Sequence, residues 1–206
     1  MINTEWFSIR ALTLPATAVA LLLAFFIVWL VLRIQFPKIW SGVYGDAIFT
    51  FILVWKFSLI ITDFQSVINQ PLALLYFNGG TVGVLLGVAA ILLQFWRKRQ
   101  QLQFDTEGIM ACGWAIMLTQ SIYQWFVVLL NDNPLQSELI TLVVLSVLTI
   151  FILWKVPTTK TALFLYTVGY CIVAALQPLG FWQTAVGVSF LLLLLGIGIQ
   201  RIGGKE

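Results

Sequence analysis

Apolar residues along this chain are gathered into long runs that neither alternate with period two nor form a single helical stripe, and short polar stretches separate them. A helix needs about 20 apolar residues to cross roughly 30 Å of hydrocarbon. Seven runs approach that length: Ala11 to Leu32, Tyr44 to Thr62, Gly79 to Phe95, Ile109 to Leu130, Leu139 to Val156, Thr161 to Leu176 and Trp182 to Ile199. The pattern predicts an all-α fold, a polytopic membrane bundle of seven transmembrane helices forming a single domain. The first run is not read as a signal peptide, because no basic segment precedes it and further spans follow. Between the second and third runs, Pro71 to Phe77 is apolar but too short to span, and Asn78, Gly79 and Gly80 close it with a turn signal. It reads as a short segment in the outer interface, either a plain loop helix or part of a binding surface.

Composition agrees: of 206 residues 61% are hydrophobic and 9% charged, with a mean hydropathy of +1.00, whereas soluble domains carry about 25% charged residues. Placement of the charges gives orientation. Arg33, Lys38, Arg97, Lys98, Arg99, Lys155, Lys160, Arg201 and Lys205 all fall on one side of the seven runs, and Arg10, Asp63, Asp132 and Glu138 on the other. Cytoplasmic loops retain Lys and Arg, so a cell-membrane protein with its amino terminus outside and its carboxy terminus in the cytoplasm is expected. The net charge of +3 is accounted for by topology and requires no nucleic acid partner.

The chain contains no histidine and two cysteines, which excludes His-based metal sites and His-dependent catalytic triads. No metal or cofactor is expected. Cys112 and Cys171 sit in separate runs without C-x-x-C spacing and read as small buried hydrophobes. Gly79, Gly83 and Gly87 recur every fourth residue, a small-residue face that suits close helix packing; the Lys and Ser or Thr of a phosphate-binding loop are missing.

Lys56 is the most costly residue in the runs, about 9 Å below the outer boundary at 1.5 Å per residue, where a charge costs on the order of 2.5 to 3.5 kcal/mol. Two readings stand: snorkelling outward, towards Asp63, or contact with a lipid phosphate. Gln120 and Gln124, one helical turn apart, match its depth, while Tyr166 and Tyr170 form a second polar pair. Either these groups hydrogen-bond between helices or they form an outer-leaflet pocket, with Lys56, Gln120, Gln124, Asn78 and Tyr170 as the candidate lipid-binding residues. Asp46, near the start of the second run, reads as a helix-capping carboxylate.

The order of these features resembles the prolipoprotein diacylglyceryl transferase family, seven-span bacterial enzymes that move diacylglycerol from phosphatidylglycerol to a lipobox cysteine. Phe7, Ser8, Ile9 and Arg10 resemble that family's opening; Lys56 falls where its second span carries an Arg; Pro71, Leu72 and Asn78 to Gly80 resemble its Pro-Leu to Asp/Glu-Gly-Gly stretch. Arg97 to Arg99 and Asp105 follow in order, then Pro134, Gln136 and Glu138, then Tyr166, Gly169 and Tyr170. The resemblance implies phosphatidylglycerol as the lipid partner and a lipoprotein precursor as a second. The departures fall on the chemistry. Thr81, Val82 and Gly83 stand where the family has His-Gly-Gly, Thr119 to Phe126 lack its Arg, and Gln177 to Gly180 lack the Arg after its sixth span. A catalytically degenerate, lipid- or lipoprotein-binding relative is therefore expected. A different class, a small-substrate transport or capture subunit, would use Ala16 and Ala20 as a face for docking on a partner.

Overall fold

A computed structural model of the chain describes residues 6–9, 12–70, 74, 79–98, 102, 105–131, 135–156, 158–177, 180–182 and 184–203. A two-stranded antiparallel hairpin comes first, β1 (Trp6–Ile9) paired with β2 (Leu12–Pro15). Helices make up nearly all the rest: α1 (Ala16–Gln35), α2 (Lys38–Phe57), α3 (Leu59–Thr62), α4 (Phe64–Asn69), α5 (Gly80–Lys98), α6 (Thr106–Leu129), α7 (Leu135–Lys155), α8 (Thr159–Ala175) and α9 (Thr184–Gly203), with one turn of 3₁₀ helix at Gly180–Trp182. Among the described residues, five stretches are long and apolar enough to cross a membrane: Ala16–Gln35, Lys38–Thr62, Gly80–Lys98, Thr106–Leu129 and Glu138–Lys155. Thr159–Ala175 and Ala185–Gly198 are apolar but shorter.

Local chemistry sets the boundaries. The first helix starts at Ala16 rather than Ala11, because Leu12 to Pro15 are committed to the hairpin. It stops at Gln35 because Phe36 precedes Pro37 and is driven into an extended conformation, φ −129° and ψ 162°. Pro37 lacks an N–H to satisfy and directly precedes α2. That early start corrects the capping role expected of Asp46. The residue lies more than two turns inside the helix, and its carboxylate pairs with Lys98 Nζ of α5 at 2.8 Å. The N-cap carboxylate belongs instead to Asp105, which accepts a hydrogen bond from the Gly108 N–H at 2.7 Å and starts α6. The expected interfacial segment at Pro71–Phe77 lies, apart from Leu74, outside the described residues; α3 and α4 occupy the loop ahead of it.

Helix α6 is the centre of the bundle. Some 56% of its apolar stretch is buried, against 17% to 28% for the other long helices. On one side it packs against α1, α2 and α9, on the other against α7 and α8. Ala16, Ala20, Ala24, Val28 and Leu32 of α1 are all buried within the bundle, so the Ala16 and Ala20 face is already occupied by the protein's own helices. Contacts of α1 with α2, α2 with α5, α5 with α9, α9 with α6 and α6 with α1 close a ring of five helices, which α7 and α8 buttress from outside.

The glycine spacing has the packing role expected of it. Gly79, Gly83 and Gly87 lie against Ser58, Trp55 and Phe51, and the Gly79 N–H donates to the Trp55 carbonyl at 3.1 Å. A Cβ on Gly83 would come within 3.0 Å of the Trp55 carbonyl oxygen, and one on Gly87 within 2.7 Å of the Phe51 ring. Such contacts force the helices apart. Gly83→Leu is therefore expected to destabilise the protein by about 1 to 3 kcal/mol, read as a lowered thermal unfolding temperature in detergent; an unchanged Tm would show that the seam is loose.

Candidate functional site

The five-helix ring encloses a cavity of about 660 Å³. Its wall is formed by Leu21 and Phe25 of α1, Ile48 and Phe51 of α2, Val84 and Val88 of α5, Ala115 and Ile116 of α6, and Val188 and Leu192 of α9. At one end Leu32, Trp40, Ala111 and Leu195 are buried and form a floor. The Trp40 indole covers Gly108, where any side chain would overlap it. At the other end Gly80 and Thr81 are exposed and Pro15 and Thr17 half-buried, which makes this the open rim. The floor lies at the end of the bundle where Arg33, Lys38, Lys98 and Asp105 stand, as the Arg33 Nη1 to Ser41 Oγ contact of 3.5 Å and the Asp46–Lys98 pair place it.

Among the described residues that line this lumen, none carries a charge. The polar groups are few. Tyr44 and Thr119 join hydroxyls at 2.7 Å, and because Thr119 donates to the Ala115 carbonyl at 2.6 Å, the Tyr44 hydroxyl is the donor between them. Gln120 donates its amide to the Ala185 carbonyl at 3.3 Å, tying α6 to α9 at the wall. Trp55 also lines the lumen, and its buried indole N–H meets no acceptor among the described residues. The Tyr123 hydroxyl lies on the same wall as Gln120, with no hydrogen bond among the described residues. A buried donor without a partner costs about 1 to 3 kcal/mol; among the described residues the Trp125 indole N–H and the Gln94 side-chain oxygen, both outside the lumen lining, are likewise buried and unpaired. Cys112 contributes a free thiol to the lining.

A second polar group lies behind α6, away from the lumen. Ser121 reaches the Thr149 hydroxyl of α7 at 2.8 Å and the Tyr166 hydroxyl of α8 at 2.7 Å. Gln124 donates to the Tyr170 hydroxyl at 2.8 Å, and the two tyrosine rings stack with centroids 6.5 Å apart. All five side chains are buried. Linked in this way, they hold α7 and α8 to the central helix, the ordinary interhelical use of polar side chains in a membrane.

The residues singled out by sequence are thus divided among several places. Gln120 lines the lumen, whereas Gln124 and Tyr170 are joined to each other in the buttress. Lys56 is half-buried on α2, one residue beyond Trp55, and is not among the residues lining the lumen; successive helical residues are turned by about 100°. Asn78 lies outside the described residues. Sequence reasoning missed Tyr44 and Trp55 as lumen groups, whereas the Tyr123 and Thr119 hydroxyls were legible beside Gln120. Their signal was present: aromatic residues with polar tips inside apolar runs normally find a hydrogen-bond partner when buried. The chain matches no protein-family model, no curated protein and no solved structure.

Proposed function

We propose that this chain is a seven-span protein of the bacterial cell membrane, amino terminus outside and carboxy terminus in the cytoplasm, which holds a membrane lipid inside its helix ring. The order of its sequence features resembles prolipoprotein diacylglyceryl transferase, and it does not carry out the transfer. The apolar lumen, floored at the Lys- and Arg-rich end and open at the other, is the observation that supports this reading. With Lys and Arg on the cytoplasmic side, the rim faces the outer leaflet. Lipoprotein precursors, which expose a lipid-accepting segment on that side, are the macromolecular partner that the resemblance implies.

A transport or capture subunit is less well supported. The Ala16 and Ala20 face that would dock on a partner is buried in the chain's own bundle, and an uncharged lumen offers a hydrophilic solute little in exchange for its hydration.

Native mass spectrometry of the protein purified in mild detergent tests the reading. A retained membrane lipid is the expected result, and release of that lipid should lower the Tm, because a ligand bound only to the folded state stabilises it. A retained water-soluble metabolite would favour the transport subunit and overturn the proposal.

A further inference from the structure

The lumen's chemistry narrows what it can hold, and the narrower statement rests on the lipid-binding reading above. Ligand pockets of about 300 to 1,000 Å³ take one drug-sized molecule, and 660 Å³ falls in that range. That is room for one chain and a small head, and too little for a whole phospholipid with two chains and a phosphate. The lining also lacks the cation that a buried phosphate or carboxylate requires: none of its described residues is charged, and Lys56 is not among them. An unpaired anion moved there would lose its hydration with no compensating charge. What the wall does present is a donor. The Tyr123 hydroxyl has no hydrogen-bond partner among the described residues, and on the facing helix the Trp55 ring lines the lumen while its unpaired N–H is covered by the protein. Both residues stand about 25 Å along α2 and α6 at 1.5 Å per residue, helices that start at the floor end, so the donor lies near the rim and the apolar wall runs below it.

We propose that the lumen binds a single-chain lipid with an uncharged head that accepts hydrogen bonds through a carbonyl oxygen, its chain directed to the floor at Trp40 and its head beside Trp55 and Tyr123. Two membrane sources share that chemistry, a monoacylglycerol ester and a prenyl quinone, and the test separates them.

The full chain carrying Cys171→Ser, so that Cys112 in the lumen is the one thiol, is purified, stripped of lipid and treated with N-ethylmaleimide. The alkylation rate of Cys112 is then measured with monoolein, a menaquinone, lysophosphatidylglycerol or phosphatidylglycerol added in detergent. Monoolein or the menaquinone is expected to slow labelling at least tenfold, the effective one identifying the source. Lysophosphatidylglycerol, with one chain but a charged head, and phosphatidylglycerol should protect much less. Tyr123→Phe removes one neutral hydrogen bond and should weaken half-maximal protection about three- to tenfold. Ala115→Phe fills the lumen and should abolish it; Ala47→Leu, a smaller filling change on the facing wall, repeats the test should Ala115→Phe not fold. Equal or stronger protection by phosphatidylglycerol would overturn this inference and leave the lipid-binding reading standing. Protection by none of the four lipids, with no lipid retained in native mass spectrometry, would overturn both.

Discussion

Expressed in a bacterial strain depleted of prolipoprotein diacylglyceryl transferase, this chain is expected to leave prolipoproteins unmodified. Moving diacylglycerol from phosphatidylglycerol onto a thiol requires a base for the thiol and a cation or acid for the departing glycerol phosphate. A positioned acid or base contributes about 10² to 10⁴ in rate, so losing both puts transfer below detection over a cell generation. The chain has no histidine at all. The C-terminal half of α6, set by the resemblance against the stretch where that family carries Arg, holds Gln120, Tyr123 and Gln124; Gln120 is engaged by the Ala185 carbonyl and Gln124 by Tyr170. Amides neither take up the thiol proton nor neutralise a leaving phosphate. Mass spectrometry of a reporter lipoprotein reads the result, and a diacylglyceryl-modified cysteine dependent on this chain would overturn the assignment of lost activity.

Trp40→Ala is expected to have the largest effect on the fold of any single substitution in the lumen wall. The indole is 6% exposed, belongs to the core with Leu32, Ala111 and Leu195, and fills the space that Gly108 leaves empty. Truncating a buried tryptophan costs about 3 to 5 kcal/mol through lost transfer energy and the cavity left behind, a large share of the total stability of most domains. The same change removes the floor of the lumen. In inverted membrane vesicles carrying Cys171→Ser, a membrane-impermeant maleimide should label Cys112 in Trp40→Ala and not in the parent. Labelling from the cytoplasmic face in the parent would show that the floor is open, and labelling only in right-side-out vesicles would reverse the proposed orientation.

Five spans were legible because hydrocarbon thickness imposes a length on them: α1, α2 with α3, α5, α6 and α7 lie in five of the apolar runs, while the other two runs hold the shorter apolar helices α8 and α9. Their ends were less legible. Leu12 to Pro15 are as apolar as a helix start but pair with Trp6 to Ile9, and Asp46 was assigned to a cap because Pro37, the actual boundary, precedes a polar turn containing Lys38 and Ser41. Gly79, Gly83 and Gly87 could be read as a packing face because their spacing is itself the geometry. The lumen could not be read. Leu21, Val88 and Leu192 face it while Leu22, Leu86 and Leu194 face outward, and hydropathy does not distinguish an apolar cavity from lipid. Depth likewise placed Gln120 and Gln124 together; their separate partners depend on which helices flank α6, which one chain's periodicity does not specify.

The glycine seam has a mechanical consequence. With no side chains between them along Gly79, Gly83 and Gly87, α2 and α5 meet through backbone, Trp55, Ser58 and Phe51, and close-packed contacts of this kind are lost over a fraction of an ångström of separation. The two helices therefore form a stiff plate. Beside α5 in the ring, α9 packs unevenly: Gly196 seats the Leu163 side chain of α8, while Gly187 and Gly198 have nothing within 4 Å of where their side chains would be. A slot for a lipid entering sideways from the bilayer would therefore not open through the plate, between α2 and α5.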